Sequence, residues 1–269
     1  MGASSHSYRD RVAIITGGAS GIGAALAEEL ARRGSSVVLA DRDARVEQVV
    51  ERLTATGATA RAFVVDVTDA GRVEELVRAT VLELGRLDMM FNNAGLGCFG
   101  DAREFSPEQW REIMEVNFWG CVHGSLAAYR WMAEHGGGQI VNTASLAGLV
   151  PVPGAAPYAA AKHAVVGFTL SLRAEATDFG VHVNVVCPGP VRSEFHAAMV
   201  RPVSDPLERR TPASAIDATA AAHAILDGAA NDEPVIVFPA LARRTWRKWR
   251  WWPSLLTKAH RDIVAALRR

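Results

Sequence analysis

The chain alternates short runs of consecutive apolar residues with longer stretches whose apolar positions recur at helical spacing. Val12 to Thr16 is the first such run, β-branched and unbroken. Six more follow: Ser36 to Ala40 closed by Asp41, Ala60 to Val65 closed by Asp66, Met89 to Phe91, Gln139 to Ala144, Val181 to Cys187, and Val235 to Phe238. Runs this apolar read as strands buried on both faces, the pattern of a parallel sheet covered by helices. Helical composition fills the intervals: Ala24 to Arg33 with Gly34 as its C-cap, Ala44 to Thr56, Ala70 to Leu84, Pro107 to Ala133, the segment carrying Tyr158, and Ala213 to Ala230. This rhythm predicts an α/β fold: a single doubly wound, Rossmann-type domain over residues 11–239 with a seven-stranded parallel sheet. Residues 1–10 are a short polar segment, and residues 240–269 are a basic, tryptophan-rich helical tail.

Composition agrees with one large domain. The chain has 269 residues, 49% of them hydrophobic, and no Pro/Ser-rich linker divides it. The polar start predicts no signal peptide, and no apolar run reaches the roughly 20 residues of a membrane-spanning helix. Pro151, Pro153, Gly154 and Pro157 break the longest candidate. Cys98, Cys121 and Cys187 are far apart, odd in number and set in apolar sequence, so a reduced cytoplasmic protein without a metal site is expected. Formal net charge is zero, but residues 240–269 carry nine Lys or Arg against Asp262 alone, and the remainder is correspondingly acidic.

Two stretches carry chemistry. Directly after the first strand comes Gly17-Gly18-Ala19-Ser20-Gly21-Ile22-Gly23. Glycines where a strand turns into a helix let backbone approach a pyrophosphate, whose charge the helix N-terminus favours. The spacing is Gly-x-x-x-Gly-x-Gly, a variant of the usual dinucleotide fingerprint. Asp41, ending the second strand, is placed to bond both ribose hydroxyls of an adenosine and to repel a 2'-phosphate, so NAD is expected over NADP. Arg42, beside it, either pairs with a phosphate or lies on the adenine ring. The second stretch holds Ser145, Tyr158 and Lys162. Four residues is about one helical turn, so phenol and ammonium share a face and the cation can favour the ionised phenol. The chain has 26 arginines and only three lysines, which singles out Lys162 as a place where a compact ammonium is wanted.

Taken together, Thr16-Gly17-x-x-x-Gly21-x-Gly23, Asn92-Asn93-Ala94-Gly95, Asn117, Ser145, Tyr158-x-x-x-Lys162 and Pro188-Gly189 resemble the classical short-chain dehydrogenases/reductases, from about Arg11 to Pro239. The resemblance implies hydride transfer between a nicotinamide and an alcohol/ketone pair, in a homotetramer or homodimer. It implies that Tyr158 exchanges a proton with the substrate oxygen while Ser145 donates a hydrogen bond to it. Lys162, together with the positive charge of the oxidised nicotinamide, would lower the phenol pKa; Lys162 would also hold the nicotinamide ribose, and Asn117 would hold a water linking Lys162 to solvent. Gly17, Ser20, Gly21, Ile22 and Gly23 would cradle the pyrophosphate. Asp66 and Val67 would touch the adenine, Asn93 the adenosine ribose, and Pro188, Gly189, Val191 and Ser193 the nicotinamide carboxamide.

Substrate identity lies in Leu96, Gly97 and Phe99, in Leu146 to Pro153, and in Glu194 to Arg210. Their apolar or small character favours a hydrophobic alcohol or ketone, although Arg192, Arg201, Arg209 and Arg210 keep a carboxylate or a thioester open. His123 and His196 read as packing or surface residues. In the tail, Trp246, Trp249, Trp251 and Trp252 interleave with Arg and Lys, and after Pro253 the residues Leu256, Ile263 and Leu267 share a helical face. Packing on a partner subunit or over the pocket comes first, peripheral contact with an anionic membrane second. Nucleic acid is not expected, because the remainder is acidic. The alternative from another class is a peripheral membrane or scaffold protein in which the cofactor is structural.

Overall fold

A computed structural model describes residues 8–193, 195, 199–202, 212–254, 261 and 264–265. Seven strands form one parallel sheet: β1 (Val12–Thr16), β2 (Ser36–Asp41), β3 (Ala60–Val64), β4 (Met89–Asn92), β5 (Gly138–Thr143), β6 (Val181–Pro188) and β7 (Val235–Phe238). Their order is β3-β2-β1-β4-β5-β6-β7, so the direction of winding reverses between β1 and β4. In open parallel sheets the crevice beyond the strand C-termini at such a reversal is where ligands bind.

Strand side chains alternate between two cores, as the period of two requires. Ala13, Ile15, Met89 and Phe91 enter a cluster with Leu26 and Leu30 of α1 (Gly21–Arg32) and Ile225 and Leu226 of α7 (Ala218–Ala230). Ile14 and Met90 enter the opposite cluster with Val73 and Leu76 of α3 (Ala70–Leu84), Ala128 and Met132 of α5 (Gly120–Glu134), and Leu172 of α6 (Ala156–Ala176). Each fully buried Leu or Ile contributes about 1.5–3 kcal/mol relative to exposure. Between β4, β5 and these helices lies a buried polar cluster. Asn92 Nδ2 donates to Ser125 Oγ at 3.0 Å and to Asn142 Oδ1 at 2.8 Å, and Asn142 Nδ2 donates to Thr169 Oγ1 at 3.1 Å.

Four helices depart from the sequence expectation, the first of them α1, which runs from Gly21 to Arg32 rather than from Ala24 to Arg33. α2 is Val46–Ala55, within the expected Ala44 to Thr56. The last helix of the sheet starts at Ala218, not Ala213, because Asp217 caps it by accepting from Ala220 N, while Ile216 is claimed by a bridge to Val191. The long helix from Pro107 is three pieces. α4 (Pro107–Met114) opens with a capping box between Ser106 and Gln109, a π-helical turn covers Glu115–Trp119, and α5 follows. The widened turn has a local cause: the Asn117 side chain donates to Ile113 O, the carbonyl its own backbone N–H would take in an α-helix, and Gly120 N reaches back to Glu115 O.

The tail begins with α8 (Ala240–Trp251). Leu256, Ile263 and Leu267, expected to share a later helical face, lie outside the described residues, as do His196, Arg209 and Arg210.

Candidate active site

The glycine loop is shaped by what it cannot hold. Gly17 and Gly21 have φ of +69° and +54°, a region side chains avoid. A Cβ at Gly23 would stand 2.0 Å from Gly17 O, so the start of α1 folds directly onto the loop. Ser20 is the N-cap of α1 with extended backbone, and its side chain makes no capping bond, so the first-turn N–H groups receive nothing from it. Thr16 fastens this loop to β4: its Oγ1 accepts from Asn93 N at 3.0 Å and Ala94 N at 3.1 Å, and Asn93 Nδ2 donates to Thr16 O at 3.2 Å.

Asp41 ends β2 facing the same loop. Its Oδ2 accepts from Ala19 N and its Oδ1 from Asp43 N, both at 3.0 Å, which fixes the carboxylate plane and leaves further lone pairs toward the cleft. Arg42 is exposed at this rim. Arg45, which drew no notice in the sequence, pairs with Asp43 at 2.7 Å, and its backbone N–H and guanidinium hold that carboxyl below its usual range. Asp66 accepts from both Thr68 N and Thr68 Oγ1 at 2.9 Å, closing the turn after β3. Val67 is buried, and its carbonyl accepts from His123 Nδ1 at 2.9 Å, which gives that histidine a structural task.

Ser145 follows β5 and starts a single 3-10 turn, Leu146–Gly148, by accepting from Ala147 N at 3.1 Å. That turn lies on α6: a Cβ at Gly148 would stand 2.5 Å from Lys162 O. Ser145 and Tyr158, the latter in the first turn of α6, line the same cleft. Lys162, one turn on, is 3% exposed; its Nζ donates to Thr143 O at 2.9 Å and lies 5.7 Å from the Tyr158 ring centroid.

Burial dominates the titration of both groups. It pushes Tyr158 up to about 12, with the Ser145 hydrogen bond pulling back, and brings Lys162 down to about 8. The protein's own groups thus keep the phenol protonated at neutral pH, while the lowering expected from the sequence includes the oxidised nicotinamide's charge. Lys162 is spent on a backbone carbonyl, which leaves burial the larger influence. Asn117, 1% exposed, stands behind this pair. Its amide donates to Leu96 O and Ile113 O at 2.9 Å and accepts from Leu96 N at 3.2 Å, and a Cβ on Gly95 would fall 2.8 Å from Asn117 Oδ1 and 3.4 Å from Lys162 Nζ.

A cleft of about 510 Å³ runs along the strand ends. One end is formed by Asp41, Arg42, Asp66 and Val67, the floor by Gly17, Ser20, Gly21, Ile22 and Asn93, and the far end by Ser145, Tyr158 and Lys162, with Pro188, Gly189, Val191 and Ser193 along the side. Of the catalytic and cofactor candidates, Gly23 and Asn117 do not line it: the first packs on Gly17 and the second sits one layer behind; of the substrate candidates after the asparagine turn, Leu96 and Gly97 line it and Phe99 does not. Thr143 and Pro190 line the cleft although the sequence did not single them out. Pro190 adjoins the Pro188-Gly189 pair, which was the available signal; Thr143 acts through its backbone, which no side-chain pattern reveals. The cradle fits a dinucleotide on the geometry itself, since a side chain at Gly17 would meet Ala94 Cα and Asn93 Nδ2 at 3.0 Å, and the acid at the end of β2 faces the same cleft.

A family model described as short chain dehydrogenase matches residues 11–203. A 2-(S)-hydroxypropyl-CoM dehydrogenase 3 of Xanthobacter autotrophicus is 40% identical over 190 residues, covering 70% of this chain and 74% of that protein. A cyclohexanol dehydrogenase of an Acinetobacter species is 37% identical over 200 residues, covering 72% and 80%. Among solved structures, a short chain dehydrogenase/reductase from Burkholderia phymatum in complex with NAD aligns with a TM-score of 0.84 at 30% identity, over 93% of this chain and 96% of that one.

Proposed function

The chain belongs to the short chain dehydrogenase family, and on that premise we propose that it interconverts a secondary alcohol and a ketone bearing apolar substituents, with NAD in preference to NADP. The observation that carries the reading is the convergence of Ser145, Tyr158 and Lys162 at one end of a cleft whose other end is lined by Asp41. Bound in that cleft, the nicotinamide supplies or accepts the hydride.

The chain's own groups handle the proton and the charge. In the reducing direction Tyr158, protonated at neutral pH, donates its phenolic proton to the substrate oxygen as charge develops there. Ser145, which lines the same end of the cleft, donates a hydrogen bond to the same oxygen. Lys162, fixed by Thr143 O, places a cation beside the phenol and so favours the phenolate left after transfer. Asn117 holds Leu96 and the floor near Lys162, and a water at that position would return protons to the pair. In the oxidising direction each step runs backwards, with Tyr158 as base. Asp41 receives the adenosine ribose hydroxyls, and its charge disfavours a 2'-phosphate.

The substrate end supports an apolar ligand. Leu96, Cys98, Val152, Phe195 and Met199 line it, and the Phe195 ring stands 5.9 Å from that of Tyr158. Cyclohexanol, named for one relative, is a substrate of that character. A homotetramer or homodimer is the expected assembly. The test is a turnover screen of secondary alcohols and ketones graded in length and charge, run with NADH and with NADPH. Faster turnover of carboxylates or of NADPH would overturn the corresponding half of the reading.

A further inference from the structure

The reaction leaves one large feature of the chain without a role, the outward face of α8. Ala242 is buried, and Trp246 packs with it against a cluster of Cys121, Ala144, Val165, Val185 and Val237. Residues 242, 246 and 249 share that inward face at helical spacing, and Trp249 is half-buried there. The opposite face is set by Leu241, Arg244, Lys248 and Trp251, again three or four residues apart. Leu241 is 56% exposed, Trp251 70% and the next residue, Trp252, 61%. Arg243, Arg247 and Arg250 flank this stripe, and no acid occurs from residue 240 to residue 261.

The mixture identifies the partner. A surface for docking another protein concentrates apolar and aromatic residues at its centre and sheds charge there, lysine especially. Here two cations, Arg244 and Lys248, lie on one stripe between an exposed leucine at one end and the exposed indoles of Trp251 and Trp252 at the other. Indoles prefer the headgroup level of a bilayer, where the ring is half apolar and half wet, while guanidinium and ammonium groups beside them meet lipid phosphates. A helix lying in the plane of the interface needs this arrangement, and one of three turns fastened to its protein by Ala242 and Trp246 presents it without having to fold first. Among the described residues no helix is long and apolar enough to cross a membrane, so contact of this kind is peripheral.

We propose that the outward face of α8 docks the enzyme on anionic lipid bilayers. The contact is next to the cleft, since Gly189 N donates to Phe238 O at 2.7 Å and a Cβ at Gly189 would stand 3.0 Å from that of Ala242. The test is flotation of the full-length protein with vesicles of phosphatidylcholine, alone or with added phosphatidylglycerol. The protein should float with the anionic vesicles, stay behind with the neutral ones, and be released by salt. A cation near an anionic surface contributes about a fivefold gain in partition, so the Arg244→Glu, Lys248→Glu variant should lose at least about 25-fold. A Trp251→Ser, Trp252→Ser variant should also float poorly, with both variants keeping the parent melting temperature. Equal flotation by parent and charge variant overturns the proposal, as does failure of the parent to float. So does a loss of self-association in the tryptophan variant without any vesicle binding by the parent, which would make this face a contact between copies.

Discussion

Asn117 grips both backbone polar groups of Leu96, accepting from its N–H at 3.2 Å and donating to its carbonyl at 2.9 Å. The residue that widens the helix into a π turn is therefore the one that fixes the loop leading to the substrate end. Replacing it by alanine leaves buried backbone groups of Leu96 without partners, at about 1–3 kcal/mol for each group stranded. We expect Asn117→Ala to unfold at visibly lower denaturant and to turn over more slowly. A variant with parental stability would show that water or rearrangement satisfies Leu96 instead.

Tyr158→Phe removes the proton donated to the substrate oxygen. Turnover should fall by at least about 10²–10⁴-fold, the usual contribution of a positioned acid or base. NADH affinity, read by fluorescence titration, should stay within a few-fold, because the ring and its contact with Phe195 remain. Ser145→Ala should cost about 10²-fold or more in kcat for the loss of one donor to the developing oxyanion. An undiminished rate in the tyrosine variant is incompatible with the proposed chemistry.

Asp41 is asked to do two things, to bond ribose and to orient the loop through Ala19 N. Asp41→Asn removes the charge but keeps an acceptor. It should weaken NADH binding by about 10- to 100-fold, the worth of a hydrogen bond to a charged group, and bring NADH and NADPH affinities closer together. Unchanged discrimination in paired titrations would shift the selectivity to Arg42 or elsewhere.

The two reaction directions should separate with pH. With Tyr158 pushed up to about 12, the protonated form needed for ketone reduction is fully present across neutral pH, so that limb should be flat. Alcohol oxidation needs the phenolate, whose population rises about tenfold per pH unit below the phenol's pKa, so its kcat/KM should climb from pH 6 upward. Above the Lys162 value of about 8 the neighbouring cation is progressively lost and the climb should flatten. Stability follows a separate sign. Lys162 is depressed when folded, so between about 8 and its unfolded value near 10.5 the unfolded chain holds the extra proton and stability rises with pH. An oxidation rate that does not rise with pH below about 8 would exclude Tyr158 as the titrating acid/base.

Much of this fold is legible in the sequence because its strands are buried on both faces. No polar alternation blurs them, and β1 and β7 have the bounds that their apolar runs predict. Helix ends are less legible, since they depend on partners far along the chain. Ala213 to Ile216 has helical composition, yet the Val191–Ile216 bridge takes it and Asp217 begins the helix instead. The π turn is hidden for the same reason: Asn117 widens the helix while holding Leu96, 21 residues away. Site residues whose side chains act could be named in advance, but groups acting through backbone, such as Thr143 O on Lys162, could not. The low phenol pKa expected from Lys162 and the oxidised nicotinamide together depends on desolvation as well, and spacing carries no information about desolvation.

The buried amides of Asn92 and Asn142 add a constraint on how the catalytic parts can drift. They sit opposite one another on β4 and β5, joined at 2.8 Å and tied to Ser125 and Thr169. Sliding either strand by one residue would turn an amide away from every partner in an apolar interior, so the pair works as a dowel between neighbouring planks. Asn93 follows the first pin by one residue and Ser145 follows the second by three. The gap between the group that borders the cofactor floor and the one that meets the substrate oxygen is therefore pegged from below the site. Loops over the cleft can be exchanged for new substrates without that gap changing.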